Sequence, residues 1–577
     1  MKKIGIRLFK PFTLLAILAL MTQGLSVNAQ QWTAPGSKEG ETKEQYVQRM
    51  QWWEDSRFGM FICWGPVSLL GSNGGDLGWA RGAERNSWAG KGDIPVQIFD
   101  NLYKQWYPNL FNAEEWVQTA KDAGAKYIVF LAKHHDGFSL WDTKQSDYCV
   151  TGPESPWKVD VLKEIADACH KMDIKLVVYF SSVDWYHPDA FNLVTHQKYI
   201  DFMHAQLREI CTNYGKIDGI WFDMGGYNKD GNMIIRNPKF FDTEKLFAML
   251  HELQPGIILN NRAALSGDFS TPENRLSGFD REKYWEACVT LGTHWGWKPK
   301  DELKSLRQVI SLLVQAVGGD GNLALNTNPM PDGRIEPRQV ERFRELGNWL
   351  KENGESIYGT RGGPYKPGVW GASTYNDNKI YLHLLNLVNG NSISLPQVGK
   401  KIVSCKLLDG TAIDIKQSQN IITISVPQIL QKPYDNIIVL ELDGAAGDID
   451  PIGVLINSVL FGKSATSNEE NREWHPYNWA FDNDFATNWN CSTKNSWIEF
   501  DLGGTTDISK LILFEAGENV RKFVVRCDAK GIWKELYSGE RIGEKKEIIF
   551  PQIKTSKIRI EIIESVENPV IAEILMF

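Results

Sequence analysis

Four stretches of the chain end an apolar run with groups that move protons or bind hydroxyls. They are Lys133-His134-His135-Asp136, Tyr179 with Asp184-Trp185 after it, Trp221-Phe222-Asp223, and Asn260-Asn261-Arg262. Brought to one face, two carboxylates of such a set suffice to hydrolyse a glycosidic bond, one attacking and one donating a proton. Asp223 is the first candidate, because Ile220 and Trp221 before it are strand-like and fix its carboxylate at a strand end. A capping or ion-paired aspartate is the plainer alternative. Its partner stays open among Asp268, Glu273, Asp280, Glu282 and Glu286. A zinc site at His134 and His135 is disfavoured, since neighbours in a strand point to opposite faces and neither H-E-x-x-H nor a third ligand is in view. No metal ligands are expected among these residues.

Such groups need a rigid frame, and hydrophobic periodicity supplies one. Strands are expected at 57–64, 126–132, 174–181, 217–223, 256–261 and 322–326, with amphipathic helices at 113–124, 159–172, 197–214, 243–253, 304–317 and 336–353. Alternation of this kind over some 300 residues fits an α/β protein with a (β/α) TIM-like barrel, whose working residues stand at the C-terminal ends of the strands. No G-x-G-x-x-G follows a strand, which lowers a dinucleotide site. Beyond residue 354 the pattern becomes short alternating runs at 379–386, 401–408, 420–426 and 436–442, a small antiparallel β domain. The linker 444–453, GAAGDIDPIG, leads to a second β-rich block with runs at 496–502, 509–515, 522–527, 546–550 and 557–563.

Bulk properties agree with several folded domains. The chain has 577 residues, 42% hydrophobic and 23% charged, with 71 acidic against 63 basic side chains, which excludes wholesale disorder and a nucleic-acid coat. Its 22 tryptophans suit sugar faces as well as cores. Lys2, Lys3, Arg7 and Lys10 precede an apolar run at 12–21, and Val27-Asn28-Ala29 offers small residues for cleavage, so 1–29 reads as a secretion signal. The expected location is outside the cytoplasm, in the periplasm or at the cell surface. That run is too short to span a bilayer and no later one approaches the length. Eight cysteines show no C-x-x-C pair and read mainly as buried thiols.

Motifs in fixed order then carry a family resemblance. Phe58-Gly59-Met60-Phe61-Ile62-Cys63-Trp64-Gly65, Lys133-His134-His135-Asp136-Gly137-Phe138, Tyr179 before Ser181, and Trp221-Phe222-Asp223 come first. Thr271-Pro272-Glu273, Trp285-Glu286, Gly321-Asn322-Leu323 to Pro329, and Asn353-Gly354-Glu355-Ser356-Ile357-Tyr358 follow. Together they resemble glycoside hydrolase family 29, the retaining α-L-fucosidases. The resemblance implies a catalytic barrel at 40–354 and a β-sandwich at 355–445, acting on terminal α-L-fucose of a fucosylated glycan by double displacement. Asp223 matches the nucleophile and Glu273 the acid/base, with Glu286 in reserve. His134, His135, Tyr179, Trp221 and Arg262 match residues that hold the sugar and the nucleophile, and Trp64 and Trp79 are further aromatic contacts. Two departures stand out: Cys63 occupies the histidine position of F-I-H-W-G, and Gly78-Trp79-Ala80-Arg81-Gly82 replaces an E-W-Y segment. Both bear on sugar recognition more than on the chemistry, so a glycosidase for a related galacto-type sugar and a non-catalytic glycan-binding protein are the rival readings.

The terminal block, 454–577, is similar to discoidin-like F5/8 type C carbohydrate-binding modules through Ala480-Phe481-Asp482-Asn483-Asp484, Thr487-Asn488-Trp489, Trp497-Ile498-Glu499-Phe500-Asp501-Leu502-Gly503 and Ile571-Ala572-Glu573-Ile574. It makes a second β-sandwich. The resemblance implies a structural calcium near Asp482 and Asp484, while no cofactor is expected for catalysis. Trp474, His475, Tyr477 and Trp479 form an aromatic cluster that suits either glycan stacking or packing against the barrel.

Overall fold

A computed structural model describes residues 36, 38–72, 76–82, 92–223, 238–387, 390–470, 475–483, 487–517 and 519–577. The leader 1–29, Trp474 and Asp484 lie outside the described residues.

Seven short strands form the centre: β1 (Phe58–Ile62), β2 (Tyr127–Lys133), β3 (Lys175–Ser181), β4 (Gly219–Asp223), β5 (Ile258–Leu259), β6 (Glu286–Thr290) and β7 (Asn322–Thr327). They pair in parallel in the order β5-β4-β3-β2-β1-β7-β6 and are buried almost throughout, as strands covered by helices must be. Around them stand α1 (Lys43–Ser56), α2 (Ala113–Asp122), α3 (Val161–Met172), α4 (His196–Asn213), α5 (Thr243–Leu253), α6 (Leu306–Gly318) and α7 (Pro337–Asn353). Local chemistry sets several starts. Thr42 with Gln45 and Ser305 with Gln308 form reciprocal caps on α1 and α6, while Asn112 and Asp160 cap α2 and α3.

The barrel departs from the sequence expectation between β5 and β6. Glu286–Thr290 is a strand where none was read, and residues 269–273, which fall in none of the expected elements, lie parallel between the two strands. Asn261 N–H reaches Phe269 O at 3.0 Å, Glu286 N–H reaches Ser270 O at 2.9 Å and Cys288 N–H reaches Pro272 O at 3.1 Å. This segment therefore supplies the eighth wall and closes the ring. Pro272 has no N–H, so its carbonyl does the pairing. Among the described residues no helix separates β5 from β6. The first helix, α1, covers the gap: the Trp53 ring lies 4.9 Å from Phe269, and the buried Arg49 guanidinium holds Asp268 at 2.8 and 2.9 Å.

Inside the barrel, the Tyr127 side chain can lie across β1 because residue 59 is glycine; a Cβ there would sit 2.3 Å from the Tyr127 ring. That ring crosses the barrel interior, where its hydroxyl donates to Glu286.

Two β domains follow. The first has a five-stranded sheet, β8 (Arg361–Gly362), β9 (Gly371–Asn376), β10 (Lys379–Leu384), β12 (Ile402–Leu407) and β15 (Asn436–Leu442), facing a three-stranded sheet of β11 (Ser392–Pro396), β13 (Asp414–Gln417) and β14 (Ile421–Ser425). The second is one antiparallel sheet of β16 (Ser464–Ser467), β17 (Trp489–Asn490), β18 (Trp497–Glu515), β19 (Val520–Asp528), β20 (Trp533–Gly539), β21 (Lys546–Ser565) and β22 (Val570–Met576). Register breaks at 501/506 and 508/510 bend its two longest strands around a core of Phe500, Leu511, Phe523 and Ile574. Ile512, Phe514, Ala572 and Leu575 of this module pack into the core of the first β domain, and Gln308 at the start of α6 donates to Ala516 O at 3.4 Å. The architecture is a TIM-like barrel followed by two β-sandwich domains. No helix among the described residues is long and apolar enough to cross a membrane. All eight cysteines are buried and unbridged.

Candidate active site

The C-terminal ends of the strands open into a cavity of about 460 Å³. Asp223 ends β4 at its floor, and the strand end is fixed by the Asn260 side chain, which exchanges hydrogen bonds with Phe222 N–H (2.8 Å) and Phe222 O (2.9 Å). Each carboxylate oxygen of Asp223 has its own donor. Tyr179 hydroxyl donates to Oδ2 at 2.7 Å and Arg262 Nη1 donates to Oδ1 at 2.8 Å. The same Arg262 nitrogen donates to Glu273 Oε2 at 3.0 Å. One nitrogen touching both oxygens keeps them within about 6 Å of each other, in the range of the ~5–5.5 Å pair that retaining glycosidases use. Arg262 is in turn anchored by Thr271, whose hydroxyl and carbonyl each accept at 2.8 Å. The Thr-Pro-Glu run of the closing segment thus positions both the guanidinium and the second carboxylate.

Burial alone pushes the Asp223 carboxyl up, but the Arg262 guanidinium, with His135 and the Tyr179 hydroxyl, holds it well below the ordinary aspartate range. Burial also lowers His135 to about 4, so near neutral pH the imidazole is uncharged and Arg262 with Tyr179 keeps Asp223 ionised. His134 is lowered further by burial and by its neighbour His135. Gly78 N–H donates to His134 Nδ1 at 3.2 Å, which leaves that ring's proton on Nε2 as a donor for a sugar hydroxyl. His135 Nδ1 lies 2.7 Å from the Ser181 hydroxyl, and its Nε2 faces Asp223 Oδ2 at 3.7 Å.

Trp221 lies beneath the guanidinium, 4.7 Å from Arg262 Cζ, and is stacked on Tyr179 with centroids 5.5 Å apart. Cys63 lines the same cavity as a neutral thiol, because burial pushes it well above its usual value. Asp223 is 15% exposed and Glu273 46%, so the ionised carboxylate sits at the closed end and the other toward the opening.

Of the residues expected from sequence, Asp223, Glu273, His134, His135, Tyr179, Trp221, Arg262 and Trp79 share this cavity. The two histidines correct the strand-alternation argument: β2 ends at Lys133, so both rings turn to the same cavity with centroids 3.9 Å apart. Trp64 is a second correction. It is 2% exposed and packs away from the cavity against Trp106, Phe111, Trp116 and Trp157, its indole donating to Met330 O at 3.0 Å. Replacing Trp64 with alanine is expected to cost about 3–5 kcal/mol of stability while leaving KM unchanged; a raised KM with unaltered melting would place the ring at the sugar instead.

The other carboxylates have different duties. Asp268 clamps Arg49, Asp280 accepts from the backbone of Glu282 and Lys283, and Glu282 is exposed away from the cavity. Glu286 opens β6 beneath the floor, where it is 1% exposed, accepts the Trp221 indole at 3.0 Å and is pushed by burial to about 7. Asp76, Cys288 and Trp295 line the cavity without having been singled out from sequence. Recognising β6 would have found Trp295, which follows the C-terminal end of that strand. In the terminal module, His475 and Trp479 make an edge contact at 5.5 Å, and Thr487 hydroxyl donates to Asp482 at 2.9 and 3.0 Å. Among the described residues no three His, Cys, Asp or Glu side chains converge on a metal position.

A closed barrel whose mouth holds two carboxylates on one guanidinium, above a floor of rings and imidazoles, defines a glycoside hydrolase. Residues 25–355 match the alpha-L-fucosidase family model and residues 463–576 the F5/8 type C domain model, and the chain belongs to the α-L-fucosidase family. It is 28% identical over 418 residues to the plasma α-L-fucosidase of Homo sapiens, covering 66% of this chain and 86% of the relative. The structure of α-L-fucosidase isoenzyme 1 from Paenibacillus thiaminolyticus superimposes with a TM-score of 0.61 at 32% identity, over 69% of this chain and 99% of that one. A Bacteroides thetaiotaomicron α-L-fucosidase, trapped as a covalent intermediate with 2-fluoro-fucosyl fluoride, gives 0.62 at 27% identity, over 71% and 99%.

Proposed function

We propose that this α-L-fucosidase acts with retention, Asp223 as nucleophile and Glu273 as acid/base, on terminal fucose of exported or surface-exposed glycans. The observation that carries the reading is the single Arg262 nitrogen shared by the two carboxylates. In the first step Asp223 attacks the anomeric carbon, the bond to the leaving oxygen breaks, and Glu273 gives that oxygen its proton. In the second, Glu273 takes a proton from water, whose oxygen displaces Asp223 and regenerates the carboxylate. His134 and His135 meet sugar hydroxyls, His134 as a donor through Nε2, Trp221 underlies the ring, and Trp79, 39% exposed, stands at the rim. The covalent intermediate trapped on the Bacteroides relative supports a two-step course.

Hydrolysis of 4-nitrophenyl α-L-fucoside, set against the α-D-galactoside and other aryl glycosides, tests the substrate. The fucoside is expected to be preferred by at least about tenfold, roughly what one lost sugar contact is worth. Preference for a galacto-type sugar would make Cys63 the residue that changed the specificity, and turnover of none would leave a binding protein.

Export rests on the basic start, the apolar run and the small residues before Gln30. A structural calcium beside Asp482 rests on the hard oxygens of that carboxylate and the Thr487 hydroxyl. Chelation with EDTA is expected to lower the melting temperature, and an unchanged melting curve would remove the ion from the account.

A further inference from the structure

One carboxylate in the cavity takes no part in the two-step chemistry. Asp76 Oδ2 accepts the backbone N–H of Trp295, and its Oδ1 accepts that of Gly296, each at 2.7 Å. The same short segment is held from its carbonyl side. Asn328 Nδ2 donates to His294 O at 2.8 Å, to Trp295 O at 3.0 Å and to Gly296 O at 3.2 Å. Asn328 is itself fixed, because its Oδ1 accepts from Gln339 at 2.8 Å. Residues 294–296 are thus gripped on both sides, and the Trp295 indole projects from the grip to donate to Glu273 Oε1 at 3.1 Å. Glu273 is left with one donor on each oxygen, Trp295 on Oε1 and Arg262 on Oε2.

A general acid must meet its oxygen at hydrogen-bond distance when the bond breaks. Glu273 is the open member of the carboxylate pair, and a half-exposed glutamate has several rotamers to choose from. We infer that Asp76 is a positioning residue for proton transfer: by pinning the backbone of Trp295 it keeps the indole N–H on Glu273 and that carboxyl aimed at the leaving oxygen. The inference rests on the reading of Glu273 as the acid/base.

The leaving group separates this role from a direct contact with the sugar. Nitrophenolate departs with little help from an acid, whereas the oxygen of a fucosyl disaccharide must be protonated as it leaves. A fault in aiming the acid therefore damages disaccharide cleavage selectively, and a lost sugar contact or a general loosening damages both substrates alike. The test compares kcat/KM on 4-nitrophenyl α-L-fucoside and on a fucosyl disaccharide for Glu273→Gln, Trp295→Phe, Asp76→Asn and the double variant of the last two. Trp295→Phe keeps an aromatic ring beside Phe61 and removes the indole N–H together with the five-membered ring that carries it. Asp76→Asn can accept from only one of the two backbone groups.

Glu273→Gln is expected to fall about 100-fold further on the disaccharide than on the aryl fucoside. Trp295→Phe and Asp76→Asn should each show a selective loss of about tenfold, and the double variant no more than either single one. Equal losses on both substrates for Asp76→Asn, or losses that multiply in the double variant, would overturn the inference while leaving the acid/base assignment intact. Absence of selectivity in Glu273→Gln would remove that assignment, and the positioning role with it.

Discussion

Asp223→Ala is expected to lower kcat/KM on 4-nitrophenyl α-L-fucoside by roughly 10⁴-fold, the scale on which loss of a covalent nucleophile is felt. The fold should survive, because Arg262 keeps its bonds to Thr271 and Glu273. Azide is small enough to enter the space left by the carboxylate, and activity should return in its presence. The product is expected to be the β-L-fucosyl azide, inverted because azide attacks from the face that Asp223 held. Rescue giving the α-azide would mean that a glycosyl intermediate still forms, and would assign the nucleophile elsewhere.

Arg262→Gln should be nearly as damaging, by a different route that leaves a mark on the pH profile. The guanidinium opposes the effect of burial on Asp223, and His135 is neutral near pH 7. Without Arg262, burial prevails and the Asp223 carboxyl rises. A nucleophile must be ionised, so a raised pKa protonates it at pH values where the native enzyme is active, and the acid limb of kcat/KM moves to higher pH. Removing one preorganised donor from a reacting charge typically costs about 10²–10³-fold in rate, and a loss of that order is expected near neutrality, partly recovered as the pH is raised. An acid limb that stays in place in this variant would show that Asp223 is held ionised by other groups. The alanine variant tests whether Asp223 bonds to the sugar, the glutamine variant what keeps it able to.

Much of the site was legible because the four apolar runs that end in Lys133, Ser181, Asp223 and Leu259 are long or strongly β-branched, and polar groups mark their C-terminal ends. What the sequence hid lies in one arc of the ring. Ser270-Thr271-Pro272-Glu273 looks like a turn by composition, yet its Ser270 and Pro272 carbonyls accept from β6 and the next N–H, that of Asn274, donates back to Cys288 O, so the backbone of Glu273 is pinned as a strand would pin it. The next strand, β6, has five residues and begins with a glutamate, too short and too polar at its start for periodicity to show. Missing it also hid Trp295 and Asp76, whose pairing joins residues 219 positions apart. Trp64 was misplaced for a related reason: a motif gives the neighbourhood of a side chain, while the turn after β1 decides which way it points, and here it points into the aromatic cluster under α2.

A covalent bond between Asp223 and the sugar can be trapped directly. Incubation with 2-fluoro-fucosyl fluoride, whose fluorine atoms slow the second step while supplying a leaving group that needs no acid, should trap that bond, and peptide mapping by mass spectrometry then locates it. One fluorofucosyl unit is expected on the peptide containing Asp223 and none on the Asp223→Ala protein. A label on Glu273 or on any other side chain, or turnover of natural substrate with inversion and no adduct, would show that Asp223 is not the nucleophile.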